Sequence, residues 1–550
     1  MSVRPTFLGF ETMRRSIYAA QKCLDISGNN LANVHTSGYT RQRVDLVSIN
    51  TPGGNLGYKT NVALAGAGVD TPGVTQVRDS FLDKRYRELN ADATEAGTTA
   101  SILTDIENVI DSMGDIGKGF KGSYESFIAA LNSYSSDHPD RVELANISLQ
   151  SAKQLVQTLH DYDTKLNQIG TQTEFELNTA TARITEISRQ IATLNKQIED
   201  GYVSGGDITV TGNEYKANTK YGPNELKDQR NLLLDELAQY GNTKVTENDN
   251  GSINVEFAGK TFVKDQEHYG ISSQKDANGA MTLQRTDYMG NPIEEIAVGK
   301  NADLTTGALK GYTEMFNGAG IYHDSPEIVI SGDNNFCTTN GIPYYKKMID
   351  ALANTVAAAF NKATSNEAAD PAFKREMFST GVAGEPIKAS NIKISDAWEK
   401  DPEMITKSIR WVDDADHSKG IENFIPKGEE LWTGNINKLL SVDKEQLNFK
   451  LDHTDPNGVV DSKCTIESYV SIWNNKLGNE IKYQNGVYDS ADAMVLNIEE
   501  SRAAVSGVSM QEEGINMMDF QKWFNASSRM MTTFDEALNT IISSMGLVGR

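Results

Sequence analysis

Residues 10–34 read FETMRRSIYAAQKCLDISGNNLANV. Within this stretch, apolar or small residues recur in alternating steps of three and four, which is the spacing of a helix that packs along one stripe. The members of this stripe are Phe10, Met13, Ile17, Ala20, Leu24, Ser27, Leu31 and Val34. We therefore predict an amphipathic helix near the N-terminus, roughly 36 Å long at about 1.5 Å per residue.

The other end of the chain has the same spacing. Its stripe consists of Met517, Phe520, Phe524, Ser527, Met531, Phe534, Leu538, Ile541, Met545 and Val548. Heptad stripes at both ends favour pairing of the two terminal helices with each other. Two unrelated amphipathic helices, each packed on its own core, would show the same periodicity.

Further helices are predicted between the ends. A long helical region over residues 147–199 shifts its apolar phase between Thr173 and Leu177, as at a coiled-coil stutter. A helix over residues 224–240 follows Pro223, with Asn224 as its N-terminal cap. Two more helices are expected at residues 345–361 and 466–505.

The middle of the chain has a different composition. Glycine, asparagine, aspartate and threonine are frequent over residues 201–299, and residues 370–461 are again rich in turn formers. Ile253, Val255 and Phe257 alternate after an Asp-Asn-Gly turn, which predicts a β-hairpin.

This order predicts an α+β multidomain protein with paired N- and C-terminal coiled-coil helices, a helical bundle shoulder and inserted, mainly β outer domains. A chain of 550 residues is too long for one hydrophobic core. We expect four domains: residues 1–60 with 506–550 as the coiled-coil inner domain, residues 61–200 with 466–505 and 301–365 as the helical bundle, residues 201–300 as a mixed helix and β-hairpin domain, and residues 366–465 as the outer, mainly β domain.

The net charge of the chain limits the kinds of molecule that it is expected to bind. The chain has 75 acidic and 52 basic residues, for a formal net charge of −23. Phosphate backbones and anionic lipid headgroups repel such a chain, so neither nucleic acid nor a membrane is an expected partner. No stretch is long and apolar enough to span a bilayer. The region before Glu11 has no long apolar core, so a cleaved signal peptide is not expected.

Signatures of catalysis or cofactor binding are missing from the sequence. Its seven histidines form no HExxH or other close metal-ligand pair, and nucleophile-elbow, Walker A and dinucleotide-binding motifs are absent. We expect no catalytic site, cofactor or metal. The acidic loop with Asp413, Asp414, Asp416 and His417 is interpreted as solvated surface. The cysteines Cys23, Cys337 and Cys464 are interpreted as buried and unpaired.

Residues 27–43, SGNNLANVHTSGYTRQR, resemble the N-terminal signature shared by the rod, hook and hook-associated proteins of the bacterial flagellum. The TRQ ending is similar to that of the hook–filament junction members in particular. Three more stretches resemble the family and follow in its order: residues 66–88, the DQR-containing residues 224–240, and residues 500–513, where SGV precedes two glutamates.

The resemblance implies a structural subunit of the junction between hook and filament, located outside the cell on the flagellum and exported without a cleaved signal. It implies that copies form a ring and contact the hook protein and the second hook–filament junction protein, and that an export chaperone binds the C-terminal region. The implied assembly interface is Phe10, Met13, Ile17, Leu24, Leu31, Val34, Phe520, Phe524, Met531, Phe534, Leu538 and Ile541. The implied signature turn is Asn33, Gly38, Tyr39 and Arg41.

Two alternatives remain at this point. The hook or rod proteins share the N-terminal signature, although they should lack the DQR helix and the long central helical region. An enzyme carried on a flagellar scaffold is the alternative from a different class, because the middle domains are free to vary.

Overall fold

A computed structural model describes residues 8–49, 68–111, 119–137, 142–205, 208–211, 214–217, 221–322, 339–365, 376–382, 384–406, 408–411, 421–425, 432–450 and 460–545. The acidic loop with Asp413, Asp414, Asp416 and His417 lies outside the described residues, as does Cys337.

Most of the described residues are helical. In chain order the helices are α1 (Leu8–Ala32), α2 (Ser80–Asp111), α3 (Gly119–Asp137), α4 (Val142–Gly205), α5 (Asn224–Tyr240), α6 (Ala308–Asn317), α7 (Ile342–Ser365), α8 (Asp396–Lys400), α9 (Trp432–Val442), α10 (Ile466–Ser506) and α11 (Met510–Met545).

The strands are short and form small antiparallel sheets. They are β1 (Gln42–Val44), β2 (Val47–Ser48), β3 (Val69–Asp70), β4 (Val74–Gln76), β5 (Ile208–Thr211), β6 (Glu214–Ala217), β7 (Thr243–Glu247), β8 (Ile253–Phe257), β9 (Lys260–Lys264), β10 (Glu267–His268), β11 (Gly270–Lys275), β12 (Met281–Thr286), β13 (Pro292–Ile296), β14 (Phe378–Ser379), β15 (Lys393–Ile394), β16 (Ser408–Trp411), β17 (Ile421–Ile425), β18 (Leu447–Lys450) and β19 (Val460–Cys464).

The chain divides into two compact units. The first unit consists of Met1–Asn90, Ile184–Gly270 and Asp492–Arg550. It contains α1, α5, α11 and a four-stranded sheet in the order β10-β9-β8-β7. The predicted hairpin is confirmed, since β7 pairs with β8 and Gly251 in the turn has φ +82°. Its alternating residues Val255 and Phe257 are fully buried.

The second unit consists of Ala91–Arg183 and Ile271–Ala491. Its core is rich in large aromatic side chains that are less than 2% exposed, including Tyr134, Phe127, Phe360 and Trp398. The Phe127 and Phe360 rings pack tilted, with centroids 5.3 Å apart. The described parts of residues 366–465 combine six short strands in three antiparallel pairs with the helices α8 and α9.

Helix α4 contains the predicted phase shift. It is a single helix of 64 residues, and both Thr173 and Leu177 are buried in it. Its first apolar stretch, which includes Leu159 and Leu166, is part of the aromatic core of the second unit. Its second apolar stretch, from Ile184 to Ile198, is buried in the first unit. One helix thus supplies side chains to the cores of both units.

The predicted fold class is confirmed, and several helix boundaries fall close to the expected ones. Helix α5 spans Asn224–Tyr240, as predicted, and α10 spans Ile466–Ser506. The predicted Asn224 cap is wrong. Pro223 occupies the cap position without a side-chain cap bond, and the Asn224 amide instead donates to the Val74 carbonyl oxygen at 3.3 Å. The Asn224 side chain thus bonds to a residue that is distant in sequence instead of capping its own helix.

Candidate functional site

The two terminal helices pack against each other as an antiparallel pair. A Cβ added to Gly9 would lie 3.1 Å from Cζ of Phe534, so the ring covers this glycine. Seven residues further along α1, the Ser16 hydroxyl lies 2.7 Å from the hydroxyl of Ser527, which is seven residues back along α11. The Trp523 indole N–H donates to the Ser16 hydroxyl oxygen at 2.8 Å. These contacts fix the register of the pair.

Small side chains line the buried side of α1. Ala19, Ala20, Cys23 and Ser27 are all 4% exposed or less. Burial raises the pKa of the Cys23 thiol to about 11, so the thiol stays protonated, and Cys23 is a free cysteine. Small residues on one helix let the larger residues of its partner approach closely. The most buried residues of α1 therefore form a row beside the predicted apolar stripe. Ala20 and Ser27 belong to both the row and the stripe.

The predicted interface residues are incompletely covered within one chain. Ile541 is 46% exposed, and the others are half-buried: Phe10, Met13, Ile17, Leu24, Leu31, Val34, Phe520, Phe524, Met531, Phe534 and Leu538. Large apolar residues elsewhere on α11 are more open, since Ile515 and Met518 are more than half exposed and Ile542 is 71% exposed. The pair thus combines an internal contact with a partly uncovered apolar surface.

The signature turn follows α1 directly. Gly38 has φ +76°, and a Cβ there would lie 2.6 Å from Cδ1 of Leu232, so glycine suits both the backbone and the space. The Tyr39 hydroxyl donates to the Asn30 side-chain oxygen at 2.8 Å. The Asn33 amide donates to the Asn29 carbonyl oxygen at 3.0 Å and closes the end of the helix. Burial, together with nearby carboxylates, raises the pKa of Tyr39 to about 12.

Three consecutive residues after the turn bind three different parts of the first unit. The Thr40 hydroxyl donates to the Asp228 carboxylate of α5 at 2.6 Å. The Arg41 amide donates to the Ser506 carbonyl oxygen at 2.9 Å, at the end of α10. The Gln42 backbone exchanges two hydrogen bonds with the buried Asn30 side chain on α1. We call Thr40, Arg41 and Gln42 the TRQ strap, because it ties these helices together.

A chain of alternating charges lies in the same unit. Arg78 and Arg502 both bind the Asp83 carboxylate, the latter at 3.0 Å. Arg502 also binds Asp235 at 2.7 Å, and Arg87 reaches the other oxygen of Asp235 at the same distance. All five side chains are 20% exposed or less. Burial strengthens such pairs and also makes the loss of any one member costly.

The DQR motif on α5 supplies two buried side chains that point to different partners. Asp228 accepts from Thr40 and from the Gln76 amide, while burial raises the pKa of its carboxyl. The Arg230 guanidinium donates to the Asn195 side-chain oxygen at 3.0 Å and to the Gly251 carbonyl oxygen at 2.9 Å. The motif thus connects α5 both to the TRQ strap and to the hairpin turn.

The family-like segments of the sequence contain Asp83, Asp235, Arg502 and Glu513, but nothing in the sequence indicated which residues they pair with. These residues are separated from their partners by up to several hundred positions, and no local periodicity reports such a pairing. Among the described residues, no group of three or more His, Cys, Asp and Glu side chains could hold a metal ion. No helix in that part of the chain is apolar over a length that would cross a bilayer.

These features define the class of protein: a two-unit α+β chain whose first and last helices pair, with a strap of polar contacts beside that pair. Comparison with known proteins agrees with this class. The family described as the flagellar hook-associated protein FlgK helical domain matches residues 103–370. The family described as the flagellar basal body rod FlgEFG protein C-terminal matches residues 500–544.

Individual relatives are more specific. Flagellar hook-associated protein 1 of Bacillus subtilis is 27% identical over 99% of both chains. The protein of the same name from Salmonella typhimurium is 22% identical over 95% of this chain and 97% of that one. The structure of the flagellar hook junction protein FlgK from Burkholderia pseudomallei has a TM-score of 0.54 at 13% identity, covering 77% of this chain and all of that one. The structural likeness supports the fold alone.

The predicted resemblance to the flagellar hook-associated proteins is therefore confirmed, and the chain is similar along its whole length to flagellar hook-associated protein 1.

Proposed function

We propose that this chain is a structural subunit of the bacterial flagellum that forms the junction between hook and filament and assembles through its terminal helices. The observation that carries the proposal is the α1–α11 pair. Its register is fixed internally by Gly9 against Phe534 and by the Ser16–Ser527 hydrogen bond. Its outer surface still exposes apolar side chains, which neighbouring copies would cover.

The uncovered residues argue for assembly in many copies. A monomeric soluble protein rarely keeps a contiguous apolar surface open to water. Met518 and Ile542 on α11 are 55% and 71% exposed, and Tyr18 on α1 is 57% exposed. Residues from a second copy would remove this surface from water at a gain of about 25 cal/mol for each Å². Because every subunit repeats the contact, even a small gain per copy stabilises a ring.

One part of the chain matches a family that is named for flagellar rod proteins. Residues 500–544 match the rod protein C-terminal family, so α11 resembles an element that axial proteins share. Residues 103–370 match a domain named for the hook-associated protein. That longer match favours the junction over the hook or the rod.

We propose the same partners that the sequence resemblance implied: further copies of this chain, the hook protein, the second hook–filament junction protein, and an export chaperone at the C-terminal region. The relatives are named as flagellar hook-associated proteins, which supports a role without catalysis. Nucleic acid and membrane lipid are not proposed as partners, because the net charge of −23 opposes both. Export to the flagellum would use no cleaved signal.

We also propose that the four sequence domains act as assembly modules. Residues 1–60 with 506–550 would face the axis, whereas residues 366–465 would face outward. Support comes from the position of the uncovered apolar surface on the helices of the first of these modules. The inner module would carry the contacts between copies, and the outer one would be free of them.

The location of the protein tests the proposal. Purified flagella are labelled with antibodies against residues 366–465 and imaged by electron microscopy. We expect label in one narrow band where the hook meets the filament. Label along the whole hook would instead support a hook protein, and label at the base would support a rod protein. Loss of the gene should leave hooks without attached filaments.

A further inference from the structure

The joint between α10 and α11 is short, and one residue, Arg41, binds the helices on both sides of it. Helix α10 ends at Ser506 and α11 begins at Met510, which leaves three residues between them. The Arg41 amide donates to the Ser506 carbonyl oxygen at 2.9 Å on the α10 side. On the α11 side, the Arg41 guanidinium binds Glu513 at 2.8 Å and Glu512 at 3.0 Å.

The first residue of the joint, Gly507, is held by a hydrogen bond to α10 and has to be glycine in this conformation. The Gly507 amide donates to the Ala503 carbonyl oxygen at 2.8 Å and continues the hydrogen bonding of α10. A Cβ at Gly507 would overlap that same carbonyl oxygen, so only glycine fits. The Glu513 side chain is 2% exposed, so its carboxylate depends on the Arg41 guanidinium for its charge partner.

We propose that Arg41 locks the α10–α11 joint and thereby sets the direction in which the terminal helix leaves α10. The lock would be a built-in conformational device, distinct from the α1–α11 contacts and independent of the proposed place in the flagellum. The TRQ strap anchors Arg41 on both sides, through Thr40 on Asp228 and Gln42 on Asn30. The guanidinium therefore acts from a fixed position.

The chemistry of arginine suits this role. Its planar fork presents several N–H donors in fixed directions and can bind two carboxylates at once. Here Nε faces Glu513 and one terminal nitrogen faces Glu512. A lysine in the same place would keep the charge but would have a single, freely rotating ammonium group. If charge alone mattered, lysine would replace Arg41 without consequence. If the fork matters, lysine would loosen the joint.

The test measures the distance across the joint. Spin-label amino acids that need no cysteine are placed at Glu500 on α10 and Lys522 on α11, both exposed, and the full chain is studied by pulsed electron paramagnetic resonance. We expect a narrow distance distribution for the parent chain. In Arg41→Met the width should at least double, and Arg41→Lys should fall between the two.

The matched control is Arg43→Met, two residues further along the chain in β1. The Arg43 side chain is 70% exposed and lies 3.7 Å from Asp45, so the distribution should not change. A width in Arg41→Met equal to that of the parent would overturn the proposal. If Arg41→Met loses helical content in circular dichroism, the result for Arg41→Lys is used instead. A distance distribution in Arg41→Lys as narrow as that of the parent chain would then overturn the proposed role of the guanidinium fork.

Discussion

The α1–α11 pair and the core of the second unit differ in how they bury their apolar side chains. In the second unit, Phe127, Phe360 and Trp398 are all less than 2% exposed. In the helix pair, Phe520, Phe524 and Phe534 are half-buried, and the fully buried positions on α1 are small. One region therefore buries its apolar side chains within a single chain, whereas the other leaves apolar surface that we propose is covered by further copies.

The largest expected effect on stability is in the aromatic core. Phe360→Ala should lower the free energy of unfolding of the second unit by about 3–5 kcal/mol, because it removes a fully buried ring and leaves a cavity. Denaturant unfolding monitored by tryptophan fluorescence measures this. The control is Phe175→Ala, a phenylalanine of the same unit that is 65% exposed and should change the free energy by less than about 0.5 kcal/mol. Equal effects at the two positions would contradict the assignment of the core.

A smaller loss is expected from the DQR motif in the first unit. Arg230→Met keeps the apolar stem of the side chain but leaves the Asn195 and Gly251 oxygens without their charged donor. Hydrogen bonds to charged groups contribute about 1.5–3 kcal/mol each, so a loss of about 3 kcal/mol is expected. Arg189→Met is the control, since Arg189 is exposed and pairs with Glu186 three residues away on the same helix. An unchanged midpoint in Arg230→Met would show that the motif does not stabilise the hairpin.

The second unit should also lose stability as pH rises from about 4.5 to 7. Burial raises the pKa of Glu314 to about 7 and that of Asp350 to about 6, although nearby lysines act to lower both pKa values. The folded unit therefore binds protons more tightly than the unfolded chain, and this contribution disappears as each folded carboxyl ionises. In Glu314→Gln, the melting temperature should change less with pH across this range. A melting temperature that rises between pH 5 and 7, with no difference in the variant, would contradict it.

The smallest effect is expected at the surface of the first unit. Lys244→Ala removes an exposed pair with Glu256 at 3.0 Å across the β7–β8 hairpin. Exposed pairs contribute about 0–1 kcal/mol, so the free energy of unfolding should fall by less than about 0.5 kcal/mol and the difference should vanish in 1 M salt. A loss comparable to that of Arg230→Met would mean that the buried and exposed charges of this unit do not differ as described.

Local patterns in the sequence predicted the helices well. The heptad stripes gave both terminal helices, and apolar spacing with Pro223 gave the start of α5. Periodicity reports which face of a helix is buried, and a helix keeps that information within a few turns. The phase change in α4 was also visible in the sequence, whereas the supply of side chains from this one helix to two cores required the structure.

Long-range polar contacts were not predictable in the same way. Arg41 reaches Glu513 across more than 450 positions, and Arg87 reaches Asp235 across nearly 150. No spacing rule links such residues, because their proximity is a property of the tertiary fold. The Asn224 cap failed for this reason, since the side chain found a partner in β4. The small residues on α1 similarly displaced the most buried row from the apolar stripe.

The most direct test of the comparison is one substitution made in both regions, followed by imaging of cells. Phe534→Asp places a carboxylate against Gly9 in the helix pair, at a cost of several kcal/mol unless the group finds a partner or protonates. Phe175→Asp places the same group on an open surface of the second unit. We predict that Phe534→Asp cells build hooks but carry no attached filaments and do not swim, while the purified protein keeps the parental unfolding midpoint of its second unit. Phe175→Asp cells should swim normally. Motile Phe534→Asp cells with full-length filaments would contradict assembly through the terminal helix pair.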